Sequence, residues 1–307
     1  MTQDAETAIA YRSAHLEPLS VERVVTIPTF RRPDHLVRTL DSLSSQSAAP
    51  PFAVIVMEND ADGMEGAEAA RTWFEAGHIA GLVVVARQRG NCHAYNAGWE
   101  TALETFPNLR EIAVIDDDEL AAPDWLAGLS ATAAATGADF VGGPQIPVFD
   151  DLKLDRWARH PAFQPPYRET GPVPILYSSG NVLISRRVLD AMPPPFLDPA
   201  FNFIGGGDSD FYRRSRARGF SFAWCHEAAV HETTPSRRTE FSWLNARSLR
   251  NGAISAIIER RESPGLAARL KTIAKSAALL LAAPVRGMAL LIETGSPVIA
   301  LYHVQVA

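Results

Sequence analysis

Apolar and polar positions alternate in blocks along the first half of the chain. "RVVTIPTF" (23–30) is almost wholly apolar and β-branched, which predicts a short buried strand ending in a Pro-Thr turn. In "PDHLVRTLDSLSSQ" (33–46), Leu36, Leu40 and Leu43 fall at helical spacing, and Pro33 suits a first helical turn. The same alternation continues with a strand at "FAVIVMEND" (52–60), a helix over 66–77, a strand over 81–88, a helix over 93–104 and a fourth strand at "EIAVIDDDE". Strands apolar on both faces, separated by helices, predict an α/β domain whose mostly parallel sheet is flanked by helices. Such sheets bind ligands at the carboxyl ends of their strands. Those ends are Pro28-Thr29-Phe30-Arg31-Arg32, Glu58-Asn59-Asp60 and Asp116-Asp117-Asp118.

From residue 137 the alternation loosens. A strand is expected in 137–145, and the Pro- and aromatic-rich stretch 146–175 reads as a long loop. A strand and helix follow over 176–192. Residues 193–232 hold a Gly-rich turn, an acidic pair, an amphipathic helix and a strand ending at His231. "FSWLNARSLRNGAISAIIERR" (241–261) is strongly helical, with Trp243, Leu244, Leu249, Ile254, Ile257 and Ile258 on a broad apolar band. Residues 266–292 continue in the same vein. The clean apolar run 277–285 is shorter than the about 20 residues a span needs, and Arg286 interrupts it. The expected domains are an N-terminal extension (1–21), a catalytic domain (22–235) and a C-terminal basic amphipathic helical region (236–307).

Charge sharpens that division. The net charge of −6 conceals ten Lys or Arg against three Glu in 237–286, or +7. Residues 1–236 carry nineteen basic and thirty-one acidic side chains, or −12. A basic amphipathic stretch suits the plane of an anionic membrane surface, although a helical hairpin packed on the domain or on a second subunit fits as well. With 47% hydrophobic and 21% charged residues among 307, the composition is that of a globular protein. Cys92 and Cys225 make neither a disulfide framework nor a metal quartet and fit a reducing cytoplasm. The first twenty residues show no secretory signal, so a cytoplasmic location is expected.

The chemistry concentrates at Asp116-Asp117-Asp118-Glu119, directly behind the apolar run 112–115. Adjacent carboxylates repel and desolvate badly. A divalent cation compensates such a cluster; so does exposure to water, in an acidic turn capping the helix at "APDWLAGL". Two further segments join it. In "GGGDSDF" (205–211) glycines permit close backbone approach and Asp208 opens a helix, and "AVHE" (229–232) places His231 at a strand end. Asp208 as a plain helix cap and His231 as a structural histidine remain the alternatives.

The ordered set "VVTIPTFRRPDHLVRTLDSL", "VIVMENDADG", "GNCHAYNAG", "IDDDELAAPDWL", "SSGNVLISRRVL", "GGGDSDFYRRSRARG" and "AVHE" resembles glycosyltransferase family 2 over roughly residues 22–255. It is most similar to bacterial exopolysaccharide glucosyltransferases of the succinoglycan type. The resemblance implies a GT-A (Rossmann-like) fold and an inverting transfer of a hexose from a nucleotide-sugar, by default a UDP-sugar. It implies Mn²⁺ or Mg²⁺ as cofactor and a saccharide or lipid-linked saccharide acceptor at the inner face of the cytoplasmic membrane. No nucleic-acid partner is expected. Carried over by position, Pro28, Thr29 and Arg32 line the nucleotide, and Glu58, Asn59 and Asp60 include the group that reads the base. Asn91 and Asn96 flank the nucleotide-sugar. Asp116 and Asp118 form the metal-binding DxD element, with Asp116 and Asp117 also beside the nucleotide-sugar. Asp208 matches the general base with Asp210 behind it, and His231 matches an additional metal ligand.

These residue types suit the chemistry. A divalent cation neutralises a departing diphosphate, and a positioned carboxylate activates an acceptor hydroxyl, worth about 10²–10⁴-fold. Two positions depart from the family pattern. Tyr95 precedes Asn96 where an arginine is usual, which leaves the nucleotide contacts of that helix open. Gly207 precedes Asp208 where a carboxylate is common, which leaves open whether Asp208 or Asp210 is the base. A metal-dependent nucleotidyltransferase and a non-catalytic sugar-nucleotide-binding or assembly protein stand as the other readings.

Overall fold

The computed structural model describes residues 7–77, 79–263 and 265–307. It has two compact units: one from the chain up to Ile146 plus Pro165–Glu232, the other from Pro147–Gln164 and Thr233–Ala307.

The strands are β1 (Thr7–Arg12), β2 (Arg23–Thr29), β3 (Ala53–Glu58), β4 (Gly81–Ala86), β5 (Glu111–Ile115), β6 (Glu119–Ala121), β7 (Phe140–Gly142), β8 (Gln145–Phe149), β9 (Gly171–Val173), β10 (Asn181–Ser185), β11 (Phe222–Trp224) and β12 (Val230–Thr234). The helices of the first unit are α1 (Pro33–Ser44), α2 (Glu65–Glu75), α3 (Asn91–Thr105), α4 (Trp125–Thr136), α5 (Arg186–Ala191) and α6 (Gly207–Ala217).

Nine strands form one sheet in the order β1-β4-β3-β2-β5-β10-β7-β11-β9. The expected parallel core is present: β2 pairs in parallel with β3 and β5, and β3 with β4. β10 runs antiparallel between β5 and β7 and makes the sheet mixed. Side chains on successive strand residues point to opposite faces, so each apolar strand feeds two layers. One layer joins Val25, Ile27, Val54 and Val56 to Leu36, Leu40, Trp73 and Trp125 of α1, α2 and α4. On the other, Trp99 of α3 packs against Phe196 and Phe211, and Phe140 meets Phe211 and Tyr212 of α6.

Several boundaries differ from the sequence expectation. The fourth strand stops at Ile115, because the chain turns through Asp116–Asp118: the Glu119 N–H returns to the Asp116 carbonyl at 3.2 Å, and the Asp116 N–H meets the Glu119 carboxylate at 2.9 Å. α3 begins at Asn91 rather than 93. β1 adds an antiparallel edge strand beside β4, within the N-terminal extension. The stretch expected as a long loop contains β8, a 3₁₀ segment (Leu152–Arg159) and β9.

The second unit contains α7 (Phe241–Glu262), α8 (Leu266–Thr294), α9 (Pro297–Ala300) and α10 (Tyr302–Val306). Its small core gathers Phe149, Phe163 and Leu244 with Leu154, Trp157 and Trp243, and Phe163 stacks on Trp243 with ring centres 6.0 Å apart. α8 is continuous through Arg286 and Pro284, so the apolar segment there is longer than the run 277–285 suggests.

Candidate active site

The ends of β2 and β5 meet around the acidic turn. Thr29 donates its hydroxyl to Asp117 Oδ2 at 2.9 Å. Arg32, just before Pro33 opens α1, donates to Asp117 Oδ1 at 3.2 Å and to Asp118 Oδ2 at 2.8 Å. The Thr39 hydroxyl of α1 lies 2.9 and 2.7 Å from the carbonyl oxygens of Asp117 and Glu119, which ties the turn to the helix. Tyr95 of α3 donates to Asp116 Oδ1 at 2.7 Å, and Gln145 Nε2 donates to Glu119.

The turn is crowded with buried acid. Glu119 is fully buried and Asp117 nearly so. Burial pushes the Asp117 carboxyl up to about 6 against the pull of Arg32. Burial also raises Asp116 and Glu119, and the charge of Asp118 adds to the effect at Asp116. Gly180, at the start of β10, closes the cluster from above. A Cβ there would lie 2.8 Å from both Asp116 Oδ2 and Glu119 Oε1, so the position has no room for a side chain.

At the end of β3 the three expected residues divide their work. The buried Glu58 carboxylate accepts the backbone N–H groups of Asp60 (2.8 Å) and Ala67 (2.9 Å), the latter in the first turn of α2. Asn59 donates to the carbonyls of Ala86 and Gln88 and accepts from the Gly90 N–H, which stitches β3 to the β4–α3 connection. Asp60 is paired with Arg31 at 2.5 Å. Pro28 is buried in β2 opposite Met57. Asn91 is the first residue of α3. Asn96 is occupied elsewhere: its amide clamps the Leu197 main chain, donating to the carbonyl and accepting from the N–H, both at 2.8 Å.

The two aspartates of α6 are unlike. Asp210 is 5% exposed and ion-paired with Arg214 at 2.7 Å. Asp208 is half-buried, with Oδ1 accepting the Ser209 N–H. Burial holds the Tyr212 phenol well above its ordinary value, and the charges of Asp208 and Asp116 add to the shift. The Tyr212 hydroxyl donates to the Ser178 carbonyl at 2.7 Å.

His231 is exposed and pairs opposite Leu120, whereas Glu232 pairs opposite Glu119. Strand alternation therefore places Glu232 on the Glu119 side of the ribbon and His231 on the other. The charge of Glu232 contributes to the raised carboxyls of Asp116 and Glu119. Among the described residues no group of three or more His, Cys, Asp or Glu forms a closed metal cage. The donor chemistry nevertheless fits a hard cation. Asp116 and Asp118 offer carboxylate oxygens, the surplus of buried acid favours positive charge, and Mg²⁺ or Mn²⁺ commonly completes its shell with phosphate and water. Glu232, Tyr95 and Gln145 were not singled out as site residues in the sequence, and Glu119 was marked only as a member of the acidic cluster. Tyr95 left a signal as a departure from the family pattern.

The arrangement is that of a nucleotide-sugar glycosyltransferase: a Rossmann-like sheet whose strand ends carry a DxD turn, with a carboxylate at the start of α6. The model of the family described as "Glycosyl transferase family 2" matches residues 24–192, and the chain belongs to that family. It is 29% identical over 247 residues to the succinoglycan biosynthesis protein ExoM of Rhizobium meliloti (strain 1021), covering 79% of this chain and 76% of the relative. Among solved structures it is similar to the mannosyltransferase PcManGT of Pyrobaculum calidifontis in complex with GDP-Man and Mn²⁺. That likeness has a TM-score of 0.60 and 19% identity, covering 94% and 89% of the two chains. It is also similar to S. aureus TarS 1-349 in complex with UDP, with a TM-score of 0.54 and 11% identity, covering 93% and 90%. The fold is GT-A.

Proposed function

We propose that this glycosyltransferase transfers a hexose with inversion from a UDP-sugar to a saccharide carried on a lipid, in the assembly of a bacterial surface polysaccharide at the cytoplasmic face of the membrane. The observation that carries the reading is the buried acidic turn Asp116–Asp118 at the end of β5, fixed by Thr29, Arg32 and Tyr95. The ExoM likeness supports the polysaccharide context, and the neighbours bound to GDP-Man with Mn²⁺ and to UDP support a nucleotide-sugar and a divalent ion.

Asp116 and Asp118 would hold the ion on the donor diphosphate, where it supplies charge neutralisation of the leaving group. Thr29 and Arg32 set the shape of the turn by fixing Asp117, and Arg32 adds positive charge beside the diphosphate. Asp208 takes the proton of the acceptor hydroxyl as its oxygen bonds to the anomeric carbon. The bond from that carbon to the phosphate oxygen breaks, and its electron pair leaves with the diphosphate. One attack from the face opposite the leaving group inverts the centre and needs no covalent enzyme intermediate. Asp210, neutralised by Arg214, is the weaker candidate for this proton transfer.

Calorimetric titration of UDP-glucose, UDP and GDP-mannose, with Mn²⁺ and again with EDTA, tests the reading. Metal-dependent binding of UDP and its sugar is expected. Metal-independent binding removes the role given to Asp116 and Asp118, and tighter binding of GDP-mannose moves the donor to the guanine series.

A further inference from the structure

α8 is amphipathic in an inverted sense. At 100° per residue, Ala283 and Gly287 lie on the side that is buried in the second unit. Gly287 sits against α9 so closely that a Cβ would lie 2.6 Å from the Ala300 carbonyl oxygen. Leu270, Leu281, Val285, Met288 and Ile292 lie on the opposite side, and each is more than half exposed. Water therefore meets an apolar stripe along a helix of 29 residues, roughly 43 Å long. A continuous exposed stripe of this size marks an interaction surface.

Charge selects the occupant. α8 carries Arg269, Lys271, Lys275 and Arg286 against the single acid Glu293, and residues 237–286 total +7. Lys271 flanks the stripe, whereas Arg269 lies on the side of Gly287 and Lys275 is ion-paired with Glu259 of α7. The long Lys271 stem can lie along apolar surface while its head reaches an anionic group. A second copy of the same face would bring the same cations against one another. An anionic lipid surface offers both an apolar interior and opposite charge. Although α8 is long and apolar enough to cross a bilayer, Ala283 and Gly287 on its inner side are buried, and Gly287 packs against α9. Spanning would break that packing, whereas lying in the interface preserves it.

We propose that α8 docks the protein in the plane of an anionic bilayer, with its Leu270–Leu281–Val285–Met288 face in the acyl boundary. This docking depends on neither the donor nor the reaction.

Flotation of the full chain with vesicles of equal parts phosphatidylglycerol and phosphatidylcholine, and with phosphatidylcholine alone, is the test. Co-flotation with the anionic vesicles is expected, weakened by salt. Leu281 and Met288 are 82% and 56% exposed, so the double variant L281E/M288E disturbs no core, and it should lose roughly tenfold or more in affinity. Lys271→Glu should lose about fivefold or more. Retained UDP binding in each variant reads out folding. Failure of the chain to float with anionic vesicles overturns the proposal, as do variants that float like the wild type. A dimer that L281E/M288E dissolves, with flotation unchanged, also overturns it and assigns the face to a second copy. Loss of UDP binding by the wild-type chain with flotation intact would count against the catalytic reading alone.

Discussion

Tyr95 donates its phenolic hydrogen to Asp116 at 2.7 Å, while the Asp116 N–H is held by the Glu119 carboxylate at 2.9 Å. Asp116 is thereby fixed through both its side chain and its main chain before any ligand arrives. The phenol brings orientation without positive charge, so the acid surplus of the turn remains available to a cation. Removing an outer partner of a metal-binding carboxylate commonly costs about 10–100-fold in metal affinity or activity. Tyr95→Phe is expected to lower Mn²⁺ affinity, measured in the presence of UDP, within that range. The ring still packs edge-on against Trp99, so the melting temperature should hold. Unchanged Mn²⁺ affinity would show that Asp116 needs no such fixing.

The two aspartates of α6 separate chemistry from architecture. Asp208→Asn removes the proposed base and should reduce transfer by about 10²–10⁴-fold with UDP affinity and melting temperature unchanged. Asp210→Asn instead leaves Arg214 without its carboxylate partner, and the part-exposed pair is worth about 1–3 kcal/mol. It should melt earlier while keeping transfer at low temperature. Steady-state kinetics beside thermal melts decide this, and the opposite pattern would exchange the two roles.

Where the chain shows itself in sequence, burial is the reason. β2, β3, β4 and β5 must be apolar on both faces, so their position and parallel pairing could be read from composition. β1 could not, because "TAIAYR" is a half-exposed edge strand without a clear period. Residues 147–164 read as loop because their order comes from tertiary packing, with Phe149, Trp157 and Phe163 meeting helix residues some 80 positions on. The acidic turn stood out as carboxylates behind a strand. Which of His231 and Glu232 faces it depends on the register of β12 against β6, which no local pattern encodes. The resemblance alone places Asn96 beside the nucleotide-sugar, and the structure shows its amide on the main chain of Leu197.

That clamp makes its own prediction. With both amide atoms engaged in a buried setting, Asn96→Leu leaves the Leu197 N–H and carbonyl unsatisfied, at a cost of about 1–3 kcal/mol each before relaxation. The variant should melt several degrees lower, and UDP affinity at low temperature should change less than stability does. A large loss of UDP affinity without loss of stability would return Asn96 to the nucleotide-sugar.

His160 gives the second unit a pH-dependent stability. It is fully buried beside Phe163 and Tyr302, with Nδ1 accepting the Ala162 N–H at 3.1 Å and Nε2 lacking a partner among the described residues. Burial lowers its pKa to about 4, whereas the unfolded imidazole titrates near about 6.5. Between these values the unfolded chain binds a proton that the native chain does not, so stability rises with pH across the interval. The contribution is complete above about pH 6.5 and is lost as pH falls toward 4, by up to about 3 kcal/mol. Urea unfolding of the wild type from pH 7.5 to 5 should show this decline. His160→Asn offers a side-chain acceptor near Nδ1 and cannot titrate, so the decline should flatten while the variant is less stable at pH 7.5. Parallel slopes in the two proteins would place the pH dependence on other groups.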